Sequence, residues 1–257
     1  KENLEKNLIR SKLSFDEKFK DFIYDFTEIN EAKDNEWLIQ DILPSQSIGV
    51  FYGNPGAGKS TLARVLASLI SSSNLYYKNE KISSLKALKR AKLINYIPSH
   101  FEIYDEYLTV FEFLKLSSID LVNDEDILKV VSLLKLENLK HSPCINLSSG
   151  EKQLLLLASA LIHDAKITIF DELTANLDLN RIKEVFLILK SDILNQKIVI
   201  THNLDFAYAL KNYKVLFLKK GSLEFFDTHD EFFIQKNLDR FYGGSVKILA
   251  SHLVLDL

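Results

Sequence analysis

Short apolar runs alternate along this chain with longer segments in which apolar residues recur at helical spacing. The runs lie at Ile48–Tyr52, Lys92–Ile97, Ile167–Phe170, Ile198–Thr201 and Val215–Leu218. Their apolar positions are largely consecutive, a pattern typical of strands that are buried on both faces. The sequence therefore predicts an α/β fold in which helices flank a mainly parallel sheet.

Two segments depart from this pattern. The last run continues through Lys219–Ser222 into Leu223–Phe226, which predicts an antiparallel β margin of the sheet. Between Thr109 and Leu139 the apolar residues keep helical spacing and no strand pattern is present. We therefore predict a helical subdomain inserted into the α/β core.

Composition narrows the classes of function. The 257 residues carry a formal net charge of −3, so the sequence lacks the overall basic character of many nucleic-acid-binding proteins, and no nucleic-acid partner is expected. Cys144 is the only cysteine, which excludes an intrachain disulfide. The longest apolar stretch, Leu154–Ile162, is far shorter than the roughly 20 residues that cross a bilayer. We expect no membrane-spanning segment.

The segment from Gly53 to Ser60 reads GNPGAGKS and fits the phosphate-loop pattern G-x-x-x-x-G-K-[ST]. It lies between a predicted strand and a predicted helix, so backbone N–H groups can surround an anion at the helix start. Lys59 can reach the outer phosphates, and the Ser60 hydroxyl can bind Mg²⁺. The residues expected to bind the nucleotide are Gly53, Asn54, Pro55, Gly56, Ala57, Gly58, Lys59, Ser60 and Thr61.

Two carboxylates follow the apolar run Ile167–Phe170. At the carboxyl edge of a parallel sheet, Asp171 would lie beside the phosphate loop and orient Mg²⁺ or its water ligands. Glu172 could polarise the water that attacks the γ-phosphate. Such a pair is often only a charged helix start, but an upstream phosphate loop favours the metal and base roles.

A second helix start lies at Leu147–Glu151. Ser148 and Glu151 have the spacing of a capping box, and the same helix start could bind a γ-phosphate. The segment resembles the signature motif of the ATP-binding cassette (ABC) ATPases. Thr174–Asp178 is similar to their D-loop, with Asp178 at its end, and Thr201-His202 is similar to their switch histidine.

The resemblance implies a P-loop ATPase fold that binds ATP and Mg²⁺ and hydrolyses ATP, with Glu172 as base and His202 at the γ-phosphate. It also implies a head-to-tail homodimer that forms with ATP, in which each ATP contacts the signature segment of the other subunit. The signature residues acting in trans would be Ser148, Ser149, Gly150 and Glu151. Further partners would be transmembrane permease subunits and, indirectly, a substrate-binding protein, which would locate the chain peripherally at the cytoplasmic face of the cell membrane.

Two weaker resemblances point to a group within the family. Residues Ile82–Pro98 and Asn237–Val246 are similar to segments of importer ATPases for iron-siderophore complexes, haem and cobalamin. The resemblance implies one domain over residues 1–257. It would consist of a nucleotide-binding core at about 22–100 and 160–235, a helical signature subdomain at about 101–159 and a C-terminal tail at 236–257.

Several positions depart from the family pattern. Ser99 stands in place of the Q-loop glutamine, so a metal contact would pass through water or through His100. The adenine-stacking aromatic is displaced, with Tyr24 and Phe26 as candidates. Two alternatives stay open: a regulatory ABC protein that hydrolyses ATP slowly or not at all, and a RecA-like or helicase-type ATPase.

Overall fold

The computed structural model describes residues 37–39, 43–44, 48–54, 56–70, 75–77, 80–249 and 252–255. Three residues predicted to contact the nucleotide, Tyr24, Phe26 and Pro55, lie outside these ranges.

The strands and helices alternate along most of the described chain, as the apolar pattern predicts. The strands are β1 (Trp37–Ile39), β2 (Leu43–Pro44), β3 (Ile48–Tyr52), β4 (Tyr76–Tyr77), β5 (Glu80–Lys81), β6 (Ile94–Ile97), β7 (Ile167–Asp171), β8 (Gln196–Thr201), β9 (Lys214–Lys219), β10 (Ser222–Thr228), β11 (Val246–Leu249) and β12 (His252–Leu255). The helices are α1 (Lys59–Leu66), α2 (Ala87–Leu93), α3 (Val110–Ser117), α4 (Asp124–Leu133), α5 (Ser149–His163), α6 (Leu179–Lys190), α7 (Leu204–Leu210), α8 (His229–Phe232) and α9 (Gln235–Tyr242). Short 3₁₀ turns lie at Ile82–Ser84, Glu137–Leu139 and Cys144–Asn146.

A six-stranded sheet has the order β10-β9-β3-β8-β7-β6. Its neighbouring strands run parallel except for β9 and β10, which form the predicted antiparallel margin. The carboxyl ends of β3 and β8 are level, since Tyr52 pairs with Thr201. The loops that follow these parallel strands therefore meet along one edge of the sheet.

Both faces of the central strands are buried. Val50, Phe170 and Val199 face one hydrophobic cluster, which also contains buried apolar residues of α5 and α6. Phe51 and Ile198 face the opposite cluster, which includes residues of α1. Burial on both sides explains why these strands are apolar at consecutive positions.

Two strands of the main sheet begin two residues away from their predicted starts. The strand predicted from Lys92 begins at Ile94, because α2 continues through Leu93. β8 begins at Gln196, two residues before the predicted run. The buried ammonium of Lys197 donates a hydrogen bond of 2.6 Å to the Ser191 carbonyl, so a lysine is accommodated inside the sheet.

Helices α3, α4 and α5 pack together between β6 and β7 in the chain, where a helical insertion was predicted. Leu114, Val130 and Leu154 are almost completely buried at their contacts. Thr109 and Glu112 form a capping box at the start of α3. The C-terminal segment also adds regular structure, because α9 packs against the hairpin of β11 and β12.

Candidate active site

The chain turns from β3 into α1 through a loop that needs glycine at two positions. A Cβ atom on Gly53 would lie 2.3 Å from the Leu218 carbonyl oxygen of β9, so no larger residue fits beside that strand. Gly58, the N-cap of α1, has φ 94° and ψ 6°, a left-handed conformation that glycine adopts without steric cost. The loop is thus shaped by its contact with β9 as well as by its own turns.

The first turn of α1 is open to an anion. Gly58 has no side chain that could accept from the helix N–H groups, and no acidic residue lies in the first turn. The leading N–H groups of a helix have no partner inside the helix, and they carry the positive end of its dipole. A phosphate can therefore complete this helix start.

Lys59 lies beneath the loop and is only 6% exposed. Its Nζ donates hydrogen bonds to the carbonyl oxygens of Gly53 at 2.6 Å and Asn54 at 3.0 Å. Burial lowers the pKa of Lys59, while the charges of Glu172 and Asp171 act in the opposite direction. The ammonium is held within the loop that would receive the phosphates.

Asp171 ends β7 and is 2% exposed. Its Oδ1 accepts a hydrogen bond of 3.1 Å from the Ser60 hydroxyl of α1. Its Oδ2 accepts one of 2.8 Å from the phenol of Tyr96 at the end of β6. The buried carboxylate is therefore paired on both oxygens, which offsets the cost of its desolvation.

Ser60 and Asp171 fit a magnesium ion, because Mg²⁺ prefers hard oxygen ligands and is commonly bound by one or two protein groups together with substrate phosphates and water. In the described part of the chain, no group of three or more histidine, cysteine or acidic side chains could form a protein-only metal cage. When bound, Mg²⁺ would neutralise charge on the phosphates. Ser99, one of the alternative metal contacts, uses its carbonyl to accept from Gln153, and His100 is exposed.

Glu172 and His202 lie side by side at the ends of β7 and β8. Oε2 of Glu172 is 2.8 Å from Nδ1 of His202. Glu172 has φ 55°, and its N–H donates to the Ile200 carbonyl at 2.9 Å. A residue other than glycine is uncommon in this conformation, which is held here by a bond to the next strand.

The helix start at α5 differs from that at α1. Ser148 and Glu151 form a complete capping box, in which the Ser148 N–H and hydroxyl donate to Glu151 Oε2 at 2.8 and 2.7 Å. These hydrogen bonds lower the pKa of Glu151. Beside this turn, a Cβ on Gly150 would lie 3.1 Å from the Asn176 carbonyl, so the signature segment packs closely against the D-loop of its own chain.

The structure brings Lys59, Ser60, Asp171, Glu172 and His202 to one edge of the sheet, where parallel strands end. Asp178 lies further along as the N-cap of α6 and accepts from the Arg181 N–H at 3.0 Å.

Two side chains without an individual role in the sequence prediction contact predicted site residues. The side-chain amide of Gln153 donates a hydrogen bond of 2.7 Å to the Ser99 carbonyl, and the hydroxyl of Tyr96 donates one to the Asp171 carboxylate. β6 pairs with β7 so that Tyr96 lies beside Ile169. Asp171 follows Ile169 by two residues on β7, so the side chains of Ile169 and Asp171 lie on the same face of the sheet. Sequence alternation could have shown that face, but it could not have shown which strands are neighbours.

Comparison with known proteins identifies the same elements. The sequence model of the family "ABC transporter" matches residues 41–175, which span the phosphate loop and β7. This match decides between the ABC ATPase and the helicase-type alternative in favour of the former.

Two relatives and one solved structure illustrate the similarity. The chain is 32% identical over 202 residues to an ABC transporter ATP-binding protein of Clostridium tetani, with 75% of this chain and 46% of that protein covered, so it spans about half the length of that relative. It is 32% identical over 178 residues to the zinc import ATP-binding protein ZnuC of Buchnera aphidicola, and the match covers 67% of this chain and 70% of that protein. The fold resembles that of a metal-chelate type ABC transporter in an inward-facing conformation, with a TM-score of 0.64 and 21% sequence identity. The superposition covers 83% of this chain and 87% of that chain.

Among the described residues, none of the helices has both the length and the apolar character needed to cross a membrane.

Proposed function

The chain belongs to the family of ABC transporter ATP-binding proteins, and from that premise we propose that it hydrolyses ATP to power an importer for a metal chelate such as an iron-siderophore complex or haem. One observation carries the ATPase part of this proposal. The phosphate loop, the Asp171 carboxylate and the Glu172–His202 pair converge at one edge of a parallel sheet. That edge is where α/β proteins bind nucleotides.

In the proposed reaction, the N–H groups of α1 and the Lys59 ammonium bind the phosphates, and Ser60 and Asp171 hold Mg²⁺. Glu172 accepts a proton from water as the water oxygen bonds to the γ-phosphorus. The bond from that phosphorus to the bridging oxygen breaks, and ADP leaves with the bonding electrons. His202, whose Nδ1 lies 2.8 Å from Glu172, would orient that carboxylate and donate to the γ-phosphate.

A homodimer would complete this site. The N-terminus of α5 is accessible, with Ser148 exposed, and Leu179 beside the D-loop is 84% exposed. We propose that a second copy contributes Ser148, Ser149, Gly150 and the backbone of Glu151 to the γ-phosphate, so that ATP joins the two subunits.

The helical insertion offers a surface for a permease. We define the apolar patch as Tyr107 and Leu116, which are 85% and 75% exposed and line the same shallow pocket. This pocket has a volume of about 380 Å³ and is also lined by Asp105, Glu112 and Lys115. Apolar side chains rimmed by charges suit a short amphipathic helix from a membrane subunit. Docking there would locate the chain at the cytoplasmic face of the membrane.

The proposed cargo rests on similarity alone. The relative in Buchnera aphidicola is a zinc import ATP-binding protein, and the solved structure is of a metal-chelate type transporter. These names, together with the segments Ile82–Pro98 and Asn237–Val246, support a metal chelate delivered by a separate binding protein.

The ATPase proposal is tested by measuring turnover of the chain and of Glu172→Gln, with and without its permease. We expect the variant to lose roughly 10²-fold or more of the turnover, because it lacks the general base, and to retain ATP-dependent dimerisation. Single-stranded nucleic acid should not stimulate turnover.

The serine at position 99 motivates the main alternative, a regulatory ABC protein with little hydrolysis. Absence of turnover even with the permease bound, while ATP still drives dimerisation, would support that alternative and contradict the powering role. Turnover that rises when the permease is added supports the transporter.

The docking surface has a matched test. Replacing both Tyr107 and Leu116 with serine should abolish copurification with the permease and leave the turnover of the isolated chain within about twofold of the parent. Leu223→Ser provides the control, since Leu223 is a 56% exposed leucine on β10 outside the apolar patch. Equal permease binding by all variants would show that the permease docks elsewhere.

A further inference from the structure

The phenol of Tyr96 lies against the carboxylate that ends β7. Its hydroxyl donates to Asp171 Oδ2 at 2.8 Å, while the Ser60 hydroxyl donates to Oδ1 at 3.1 Å. Asp171 is 2% exposed, so water cannot readily replace either donor. Each carboxylate oxygen consequently has a donor of its own.

The two donors differ in how they are held. Tyr96 belongs to β6, which pairs directly with β7, and Tyr96 and Ile169 are partners in the register. The Arg64 side chain of α1 hydrogen bonds to the same phenol, whose one proton is then directed to Asp171. The ring of Tyr96 is thus held by its own strand and by α1, and a side chain supported in this way can fix the carboxylate that it contacts.

Ser60 has a second role in the proposed site. It begins α1 with Lys59 and is a candidate ligand of Mg²⁺, which would bind a lone pair of the hydroxyl oxygen while the hydroxyl proton stays directed at Asp171. Tyr96 has no such second role, because it lies on β6 and contacts only the carboxylate end of this pair. Ser60 would therefore serve both the ion and Asp171, whereas the phenol of Tyr96 serves to hold Asp171.

We propose that Tyr96 is a positioning residue that fixes the Asp171 carboxylate in the orientation in which it holds Mg²⁺ with ATP. The inference rests on the proposed function of the site, and it assigns to Tyr96 a role in metal-dependent nucleotide binding and not in proton transfer. Loss of the phenol would leave Oδ2 buried without its donor and free the carboxylate to rotate.

The test compares Tyr96→Phe with Tyr213→Phe in the full chain carrying Glu172→Gln, which prevents hydrolysis. Tyr213 is the matched control, because it is also a buried tyrosine and its hydroxyl donates to the Ala207 carbonyl. ATP affinity is measured by calorimetry once with Mg²⁺ and once with EDTA. We expect Tyr96→Phe to lose roughly tenfold in affinity with Mg²⁺, about 1.4 kcal/mol, and less than about twofold with EDTA.

The second arm repeats Tyr96→Phe on top of Asp171→Asn. If Tyr96 acts through the carboxylate, adding Tyr96→Phe to Asp171→Asn should not change the ratio of the ATP affinity with Mg²⁺ to that with EDTA any further. An equal loss with Mg²⁺ and with EDTA would overturn the inference in favour of a structural role, and unchanged affinity in both would leave Tyr96 without a role. Failure of the parent chain to bind ATP at all would overturn the proposed function itself, and this inference with it.

Discussion

The helix starts of α1 and α5 carry the two motifs that we propose to bind phosphate, yet their first N–H groups are satisfied in different ways. At α1, Gly58 supplies no acceptor and the first turn has no acidic residue. At α5, Ser148 and Glu151 close a capping box within the chain. A helix start without a side-chain cap leaves its first N–H groups open to water or to a ligand, whereas a capping box satisfies them within the chain.

Because of this difference, we propose that α1 serves nucleotide binding within one subunit and α5 serves the contact between two subunits. The α1 start, with Lys59 beneath it, can bind nucleotide in a single subunit. The α5 start carries the Glu151 carboxylate and would meet the γ-phosphate only when a second subunit brings it there. We therefore expect changes at α1 to affect binding to one chain, and changes at α5 to affect association of two.

Lys59→Met should have the largest effect. It removes the charge that would contact the phosphates, so ATP affinity of the single chain should fall roughly 100-fold, equivalent to about 2.7 kcal/mol. The control is Lys152→Met, which removes a lysine from the first turn of α5. Calorimetry with ATP should separate the two variants, and equal losses would show that both helix starts serve one subunit.

Ser148→Ala tests the α5 helix start, as Lys59→Met tests the α1 start. Loss of the cap should cost about 1 kcal/mol of the free energy of unfolding, measured in urea. Thr109→Ala should cost a similar amount, since Thr109 forms the same capping box at α3. Only Ser148→Ala should weaken ATP-dependent association, by roughly tenfold. If Thr109→Ala weakened association as much, the effect would reflect stability and not the proposed contact.

Glu151→Gln should have the smallest effect. Its amide oxygen can still accept from Ser148, but the negative charge near the incoming phosphate is gone, so ATP-dependent association should tighten by roughly threefold. Glu112→Gln, the same change in the α3 capping box, should leave association unchanged. Weaker association of Glu151→Gln would mean that the carboxylate itself contributes to the contact.

Much of this architecture is predictable from the sequence because the buried strands are runs of consecutive apolar residues. β3 has the predicted bounds, and the loop that follows has a pattern that few other structures require. β8 begins earlier than predicted because Lys197 is buried through a bond to the Ser191 carbonyl, and apolar patterning cannot detect a satisfied polar group. The division of the chain into core, helical subdomain and tail stays a prediction.

The strand order and the contacts across it could not be predicted. β6 and β7 are separated in the chain by three helices, so only the folded sheet shows that Tyr96 lies beside Asp171. The same holds for Gln153, whose amide reaches Ser99 from the first turns of α5. Motifs locate the residues that contact the substrate, whereas their supporting side chains come from elsewhere in the fold.

The central claim is that the phosphate loop of one chain is half of a site completed by α5 of another. The most direct test is light scattering of the Glu172→Gln chain with Mg²⁺ as ATP is added. We predict a mass of 29.5 kDa without nucleotide and twice that value with ATP, with no doubling for the same chain carrying Lys59→Met. A chain that binds ATP tightly and stays at 29.5 kDa at every ATP concentration would contradict the claim.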